Sequence, residues 1–454
     1  MPAVATIASP VNLSRLALAL GTPRRRRQMR VLLHIAVVAA SLVALKSFVI
    51  DPITGHFSGS FEDFSAYIGA ARSMASGGSP YAQFTSTTVV MSGFTYPPFA
   101  AFLLSPLAVF GDRVAMSLWL CLDLACTIAA TVILARSVLP KAWPRVELGL
   151  LAALTFAPAT YNYWHGQINP VILLLLVFAY WAYARDRDLV CGVCIGFAAG
   201  IKLAPIVLVL LLLRRHWWRG AAAALLTGAA TGVIGLLALG VGPTKTFLTV
   251  VFPTLNRGTG WIYNQSLTGV VSRLGYHSVL LVNPPVLAIT AGGLVAGIAV
   301  LLVAVGVVRP GPRSVAERRA EFGLGVTAML LAGALAWYPH FTYLLIPLFA
   351  VAGLVVTRGW RNERGLLAAA IATVVVFAVV APVAIARFDI NSAPVVGHGA
   401  FWWLLLQLYS LPGLTATWLL VALALSLRRS ESRSLRPELI DAPAPAVRQP
   451  LTAM

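Results

Sequence analysis

The stretch "RDRDLVCGVCIGFAAGIKLAPIVLVLLLLRRHWWR", residues 185–219, sets a long apolar run between two basic flanks. A single membrane crossing would place one flank on each side, against the preference of Lys and Arg for the cytoplasmic face. The run 189–213 therefore reads as a hairpin of two short helices. Its turn falls at Gly200 to Pro205, with Lys202 near the tip, since non-helical backbone at membrane depth is tolerated only where protein or a cavity surrounds it.

The rest of the chain supports a membrane reading. AVILMFWYC residues make up 59% and charged residues 11%, and the mean hydropathy is +0.84, far from the soluble balance. Apolar runs near the length needed to cross a bilayer recur at about 31–50, 114–135, 146–163, 168–184, 220–242, 285–308, 321–338, 341–357, 365–386 and 400–427. These predict an all-α, polytopic transmembrane protein of about 10–12 membrane helices with long extracytoplasmic loops. "PRRRRQMR" before the first run puts the N-terminus in the cytoplasm, and the run is too long and too poor in a small-residue cleavage site for a signal peptide. The expected organisation is a basic cytoplasmic N-terminus (1–30), a membrane domain (31–427) and a disordered cytoplasmic tail (428–454). Most of the 34 Lys and Arg residues then face inward.

The +19 net charge comes as short clusters between apolar runs without interleaved aromatic platforms, which predicts topology signals and lipid contact and excludes nucleic acid. The cysteines Cys121, Cys126, Cys191 and Cys194 all lie in apolar runs, so no disulfide is expected, and the CxxC at Cys191 lacks a second ligand pair. Loops 51–113 and 243–284 are too long for simple connections, which marks them as site-bearing. In the first, "DFSAYIGAARSMASGG" reads as a short helix with Asp63 at its N-cap and Gly77-Gly78 as its stop, and "FTYPPFAAFLLSPLAVFG" as a re-entrant or interfacial helix.

Polar residues from six stretches gather on the outward face: Glu62 and Asp63, "WHGQIN" (164–169), Lys202, "NQS" (264–266), Arg273 and "WYPH" (337–340). Charge at membrane depth is costly, so such gathering points to a cavity. Each also has a structural reading: a cap for Asp63, loop hydrogen bonds for His165 and Gln167, snorkelling for Lys202, a helix-start hydrogen bond for His340. Asp123, inside an apolar run, reads as a helix–helix contact, and Asp186 and Asp188 as a solvated turn rather than a DxD metal site. Asn264 opens an N-x-S sequon. GxSxG, Walker, GxGxxG and HExxH patterns are absent.

The pieces "EDFSAYIGAARSMASGGSPY", "FTYPPFAAFLLSPLAVF", "WHGQINPVILLLL", "GFAAGIKLAPIVLVLLLLRRHWW", "NQSLTGVVSR" and "WYPHFTYLLIPL", in this order, resemble glycosyltransferase family 87. That family comprises polyprenyl-phosphate-mannose-dependent α-mannosyltransferases of the glycosyltransferase-C superfamily. The resemblance implies a plasma-membrane enzyme with an extracytoplasmic active site, polyprenyl-phosphate-mannose as donor, and a glycolipid acceptor such as a phosphatidylinositol mannoside or lipomannan. It also implies an aspartate base in the first external loop, at the position of Asp63. Inversion follows if a β-linked donor yields an α-linked product. Five carboxylates fall on the outward face, Asp51, Glu62, Asp63, Asp112 and Asp389, and helical geometry sends Glu62 and Asp63 about 100° apart. Lys202, Arg273 and His340 suit the donor phosphate; Glu62, Tyr67, His165, Gln167, Asn169, Gln265 and Tyr338 suit sugar and acceptor. No cofactor and no catalytic metal are expected. The rival class is a transporter or flippase, whose paired broken helices in two related halves are not visible in the sequence.

Overall fold

The computed structural model describes residues 23–55, 61–84, 93–256, 258–274, 287–311, 313–387 and 407–434. Residues 1–22, 388–406 (Asp389 among them) and those beyond Ser434 lie outside the described residues. Among those described, helices account for all regular structure apart from one isolated bridge between Asn264 and Trp337. The helices used below are α1 (Pro23–Leu45), α2 (Glu62–Ala75), α3 (Pro98–Leu104), α4 (Asp112–Val138), α5 (Arg145–Thr155), α6 (Ala157–His165), α7 (Asn169–Tyr183), α8 (Asp188–Ile201), α9 (Val209–Arg214), α10 (Trp218–Leu239), α11 (Leu267–Leu274), α12 (Leu287–Val307), α13 (Val315–Ala332), α14 (Leu345–Arg358), α15 (Arg364–Val375) and α16 (Leu411–Ser434).

Six described segments are long and apolar enough to cross a membrane: Arg27–Leu45, Asp112–Val138, Trp218–Leu239, Tyr338–Arg358, Arg364–Ala384 and Leu411–Arg429. The others are shorter or broken. The run 146–163 is two helices, because Pro158 cannot donate a backbone hydrogen bond and the chain is extended at Phe156 (φ −72°, ψ 110°). The run expected at 321–338 starts earlier, at Val315, where Ser314 and Glu317 form a capping box. It stops at Ala332, leaving 333–337 non-helical.

The stretch 188–214 doubles back. α8 and α10 run side by side in the same direction: a Cβ on Gly192 would lie 2.0 Å from the carbonyl oxygen of Gly220, and one on Gly196 would lie 2.3 Å from that of Ala224. Only glycine lets the two backbones approach so closely. Asp188 and Gly220 are thus neighbours, so the chain leaves their end along α8, turns at Lys202, where the backbone is extended (φ −147°, ψ 117°), and returns through α9. At that return end Arg215 pairs with Glu321 (2.7 Å), which also faces Arg313 (2.6 Å) and accepts from Tyr183 (3.2 Å). Asp186 pairs with Arg318 at 2.7 Å. Replacing Glu321 alone leaves two buried guanidinium groups, Arg215 and Arg313, without their carboxylate.

At the opposite end, the loop before α11 pairs with the loop before α14. Gln265 donates its amide to the Ala336 carbonyl and Tyr338 its amide to the Tyr263 carbonyl, both at 2.8 Å. Asn264 saturates this junction: its amide nitrogen donates to Thr259 and Ala334 carbonyls, and its oxygen accepts from the Ser266 and Ala336 amides. Its side chain is fully buried, so the sequon is a structural knot. The free cysteines span exposed to buried positions.

Candidate functional site

Two local devices aim the central pair. Phe61, just before α2, is left-handed (φ 39°), and α2 begins at Glu62, so Asp63 sits inside the first turn rather than at the expected N-cap. That frees its carboxylate for a tertiary partner. The helix stops as expected, with Gly77 left-handed (φ 75°) after Ser76. The second device is Gly166, also left-handed (φ 65°), which ends α6; a Cβ there would meet Phe64 Cβ at 2.7 Å. Trp119 of α4 donates its indole N–H to the Gly166 carbonyl at 2.8 Å. The chain turns under α2 and presents Gln167 to Asp63.

From there a hydrogen-bonded network crosses the site. Gln167 donates to Asp63 Oδ2 at 2.5 Å, and its oxygen accepts from Tyr96 (3.3 Å) and Asn169 (3.2 Å). Tyr67 donates to the Tyr96 hydroxyl (2.8 Å) and accepts from the Ile168 amide (3.3 Å). Asn169 Nδ2 donates to Asn162 Oδ1 (2.7 Å), while Asn169 Oδ1 accepts from Lys202 Nζ and the Tyr343 hydroxyl, both at 2.8 Å. Asn162 in turn donates to the Pro339 carbonyl (3.0 Å). Lys202 Nζ also lies 2.7 Å from His340 Nε2 and 5.5 Å above the Tyr96 ring. His340 Nδ1 accepts the Trp337 amide (3.1 Å), which holds the ring toward Lys202.

Elements far apart in sequence thus meet at one place: α2, the Tyr96 turn, the α6–α7 turn, the hairpin tip and the turn before α14. Asp63, Gln167, Asn169, Lys202 and His340, which the sequence gathers on one face, come together, and Tyr67 joins them. Tyr96, Asn162 and Tyr343 were not singled out beforehand. Tyr96 and Tyr343 lie inside the quoted motifs, but no spacing rule separates them from other aromatic residues.

Asp63 is half-buried. Burial pushes its carboxyl up to about 6 from an ordinary 3.8, aided by Glu62 and opposed by the Gln167 hydrogen bond and the Lys202 charge. The other described carboxylates that the sequence assigns to the outward face differ. Asp51 pairs with Lys46 at 2.8 Å, Asp112 pairs with Arg72 at 2.6 Å, and Glu62 is exposed. A carboxylate in a partly dry site, tuned toward neutrality, suits proton abstraction.

The remaining expected residues stand around this network in supporting positions. Buried Arg273 donates to the Trp261 (3.0 Å) and Asn264 (2.8 Å) carbonyls and to the Ser410 hydroxyl (2.9 Å), stapling the 259–266 loop to the start of α16. Its Nη2 has no hydrogen-bond partner. Gln265 joins the Ile262 carbonyl and the Gly413 amide. Tyr338 donates to the Phe377 carbonyl and packs edge-on against Tyr161. His165 packs on Tyr161 with ring centroids 4.7 Å apart, and burial pulls its imidazole down to about 4, so it is neutral at ordinary pH. Asp123 lies fully buried in α4 with neither carboxylate oxygen hydrogen-bonded.

Fold and site together define a multi-pass helical membrane protein that holds a carboxylate and a lysine at two ends of one polar network. Residues 94–333 match the model of glycosyltransferase family 87, and the chain belongs to that family. The match includes Tyr96, Gln167, Asn169 and Lys202; Asp63 and His340 flank it and join the site through the geometry above. Among curated proteins, the chain is 29% identical over 229 residues to a polyprenol-phosphate-mannose-dependent alpha-(1-2)-phosphatidylinositol pentamannoside mannosyltransferase of Mycobacterium tuberculosis, covering 48% of this chain and 51% of that protein. It is 27% identical over 222 residues to the protein of the same description from Mycolicibacterium smegmatis (48% and 53%). It is also 27% identical over 293 residues to a polyprenol-phosphate-mannose-dependent alpha-(1-2)-phosphatidylinositol mannoside mannosyltransferase of M. tuberculosis (61% and 64%). The chain spans about half the length of the first two relatives.

Proposed function

We propose that this protein is a membrane mannosyltransferase that moves mannose from polyprenyl-phosphate-mannose to a phosphatidylinositol mannoside, forming an α-1,2 linkage with inversion. The observation that carries the reading is the Asp63–Gln167–Asn169–Lys202–His340 network. It holds a group able to take a proton and a group able to meet a phosphate on one rigid frame.

The acceptor hydroxyl attacks the anomeric carbon and gives its proton to Asp63 Oδ1 or Oδ2. The bond from that carbon to the phosphate oxygen breaks, and the electron pair leaves with the polyprenyl phosphate. Lys202, flanked by His340, stabilises the charge that develops there without reorganising. Tyr67, Tyr96, Gln167 and Asn169 position Asp63 and contact sugar hydroxyls, while Arg273 holds the 259–266 loop behind the site. The positive-inside preference keeps the basic clusters in the cytoplasm, which supports an extracytoplasmic location for a site at the opposite end of the helices.

The test uses purified full-length protein, radiolabelled polyprenyl-phosphate-mannose, and phosphatidylinositol tetramannoside or lipomannan as acceptor. Asp63→Asn is expected to abolish transfer while thermal unfolding and donor binding persist. Unchanged transfer removes Asp63 as base, and preference for lipomannan replaces the acceptor.

A further inference from the structure

A polar concavity lies at the other end of α4 from the Asp63 site. Trp119 of that helix touches the Asp63 site, and Arg136 lies 17 residues further on, roughly 26 Å at about 1.5 Å per residue. That distance approaches the thickness of the hydrocarbon core, so the two places open toward opposite membrane faces. The concavity has a volume of about 380 Å³ and is bounded by α1, the end of α4, the 139–144 loop and the start of α5.

Its chemistry is one-sided. Arg30, Arg136, Lys141 and Arg145 line it together with Trp143 and a single carboxylate, Glu147, which is already engaged by His34 Nε2 at 3.2 Å. Backbone carbonyls orient two of the guanidinium groups: Arg30 Nη2 donates to Ala142 and Arg145 Nη1 to Arg136, both at 3.2 Å. Each spends one N–H in this way and keeps the rest of its fork. Elsewhere several arginines of the basic ends are paired with carboxylates, as at Arg215–Glu321, Arg318–Asp186 and Arg358–Glu317. Topology alone asks for basic residues on this face, but not for four around one concavity with their counter-charge used up. Trp143 supplies the amphipathic ring favoured at the bilayer interface, and the oriented guanidinium groups match phosphate oxygens.

We propose that this concavity binds a phosphate group presented at the membrane surface, as an anionic phospholipid headgroup presents it. The volume holds about a dozen water-sized groups at roughly 30 Å³ each, enough for a phosphodiester and its glycerol.

The experiment titrates full-length protein in neutral detergent with dioctanoyl phosphatidylglycerol, dioctanoyl phosphatidylcholine and inorganic phosphate, followed by native mass spectrometry. Wild type is expected to prefer the glycerol lipid about tenfold over the choline lipid. Arg136→Gln with Lys141→Gln should lose about twenty-fivefold, near fivefold per cation, and Lys141→Gln alone, on the loop, about fivefold. A control with the same charge removed, Arg361→Gln with Arg364→Gln, should change binding less than twofold. Equal losses in the control and the double variant overturn the proposal. Inorganic phosphate that binds as tightly as the glycerol lipid and displaces it overturns the lipid source and assigns the site to a soluble anion.

Discussion

Gln167→Leu separates positioning from proton chemistry. Gln167 gives Asp63 its 2.5 Å hydrogen bond, and that bond lowers a carboxyl which burial alone would raise further. A hydrogen bond to a charged group contributes about 1.5–3 kcal/mol, and at 1.36 kcal/mol per unit its loss moves Asp63 up by about 1–2 units. Leucine fills much of the space and brings no water. As the proposed base, Asp63 acts only when ionised, so transfer is expected to fall as pH drops through its value, near 6 in the wild type. In the variant that acid limb should appear at about 7–8. At pH 7 the ionised fraction falls from about nine-tenths to between roughly one-half and one-tenth, a two- to tenfold loss of kcat/KM that recovers by about pH 9. The assay is the pH profile of mannosyl transfer at subsaturating donor. A limb that stays near 6 shows that Asp63 does not set it. An equal loss at every pH shows that Gln167 serves substrate or geometry instead of the carboxyl.

Lys202→Met should weaken donor binding by tenfold or more and also raise the acid limb, because the Lys202 charge depresses Asp63; equilibrium binding and the pH profile read the two effects separately. Glu321→Ala leaves Arg215 and Arg313 buried without their carboxylate and should cost about 3–5 kcal/mol, seen as a lower thermal transition in detergent with donor affinity kept in the folded fraction. Gly196→Val puts a branched side chain where even a Cβ would lie 2.3 Å from the Ala224 carbonyl, so α8 and α10 must separate; a loss of about 1–3 kcal/mol or more is expected by the same measurement.

The membrane class and the hairpin were legible because they rest on strong, local quantities, run length and basic flanks; the close approach at Gly192 and Gly196 that packs α8 on α10 emerges only in the structure. Breaks inside runs were harder to read. Phe156 looks like any apolar residue, and the break there depends on Pro158 together with the packing of α6 against the 338–344 turn. The site was legible as a set of residues, not as bonds. Asp63 reads as a cap because an acid before a short helix usually caps it, but Phe61 takes a left-handed conformation and the helix starts two residues early. Arg273 and Gln265 carry the same polar signature as Lys202 and Gln167; only the three-dimensional pairing of the 259–266 and 334–338 loops shows that they brace backbone.

On the proposed function, the hairpin also explains why Lys202 is the cation suited to a phosphate. Had 189–213 crossed once, the 214–219 cluster would lie at the Asp63 end and Lys202 at mid-membrane. Because the chain turns back, Arg215 returns to Glu321 and finds its charge partner, while Lys202 is delivered to a site where its hydrogen-bonding neighbours, Asn169 and His340, are polar rather than anionic. Arg215 gains little from another anion, since a carboxylate already compensates it. Lys202 gains more, because Asp63 acts on it only across the Gln167–Asn169 bridge. An arriving phosphate would supply the close counter-charge that the resting site lacks, and the benefit would grow as negative charge builds on the leaving oxygen. Such an interaction strengthens toward the transition state, the condition for binding energy to lower a barrier.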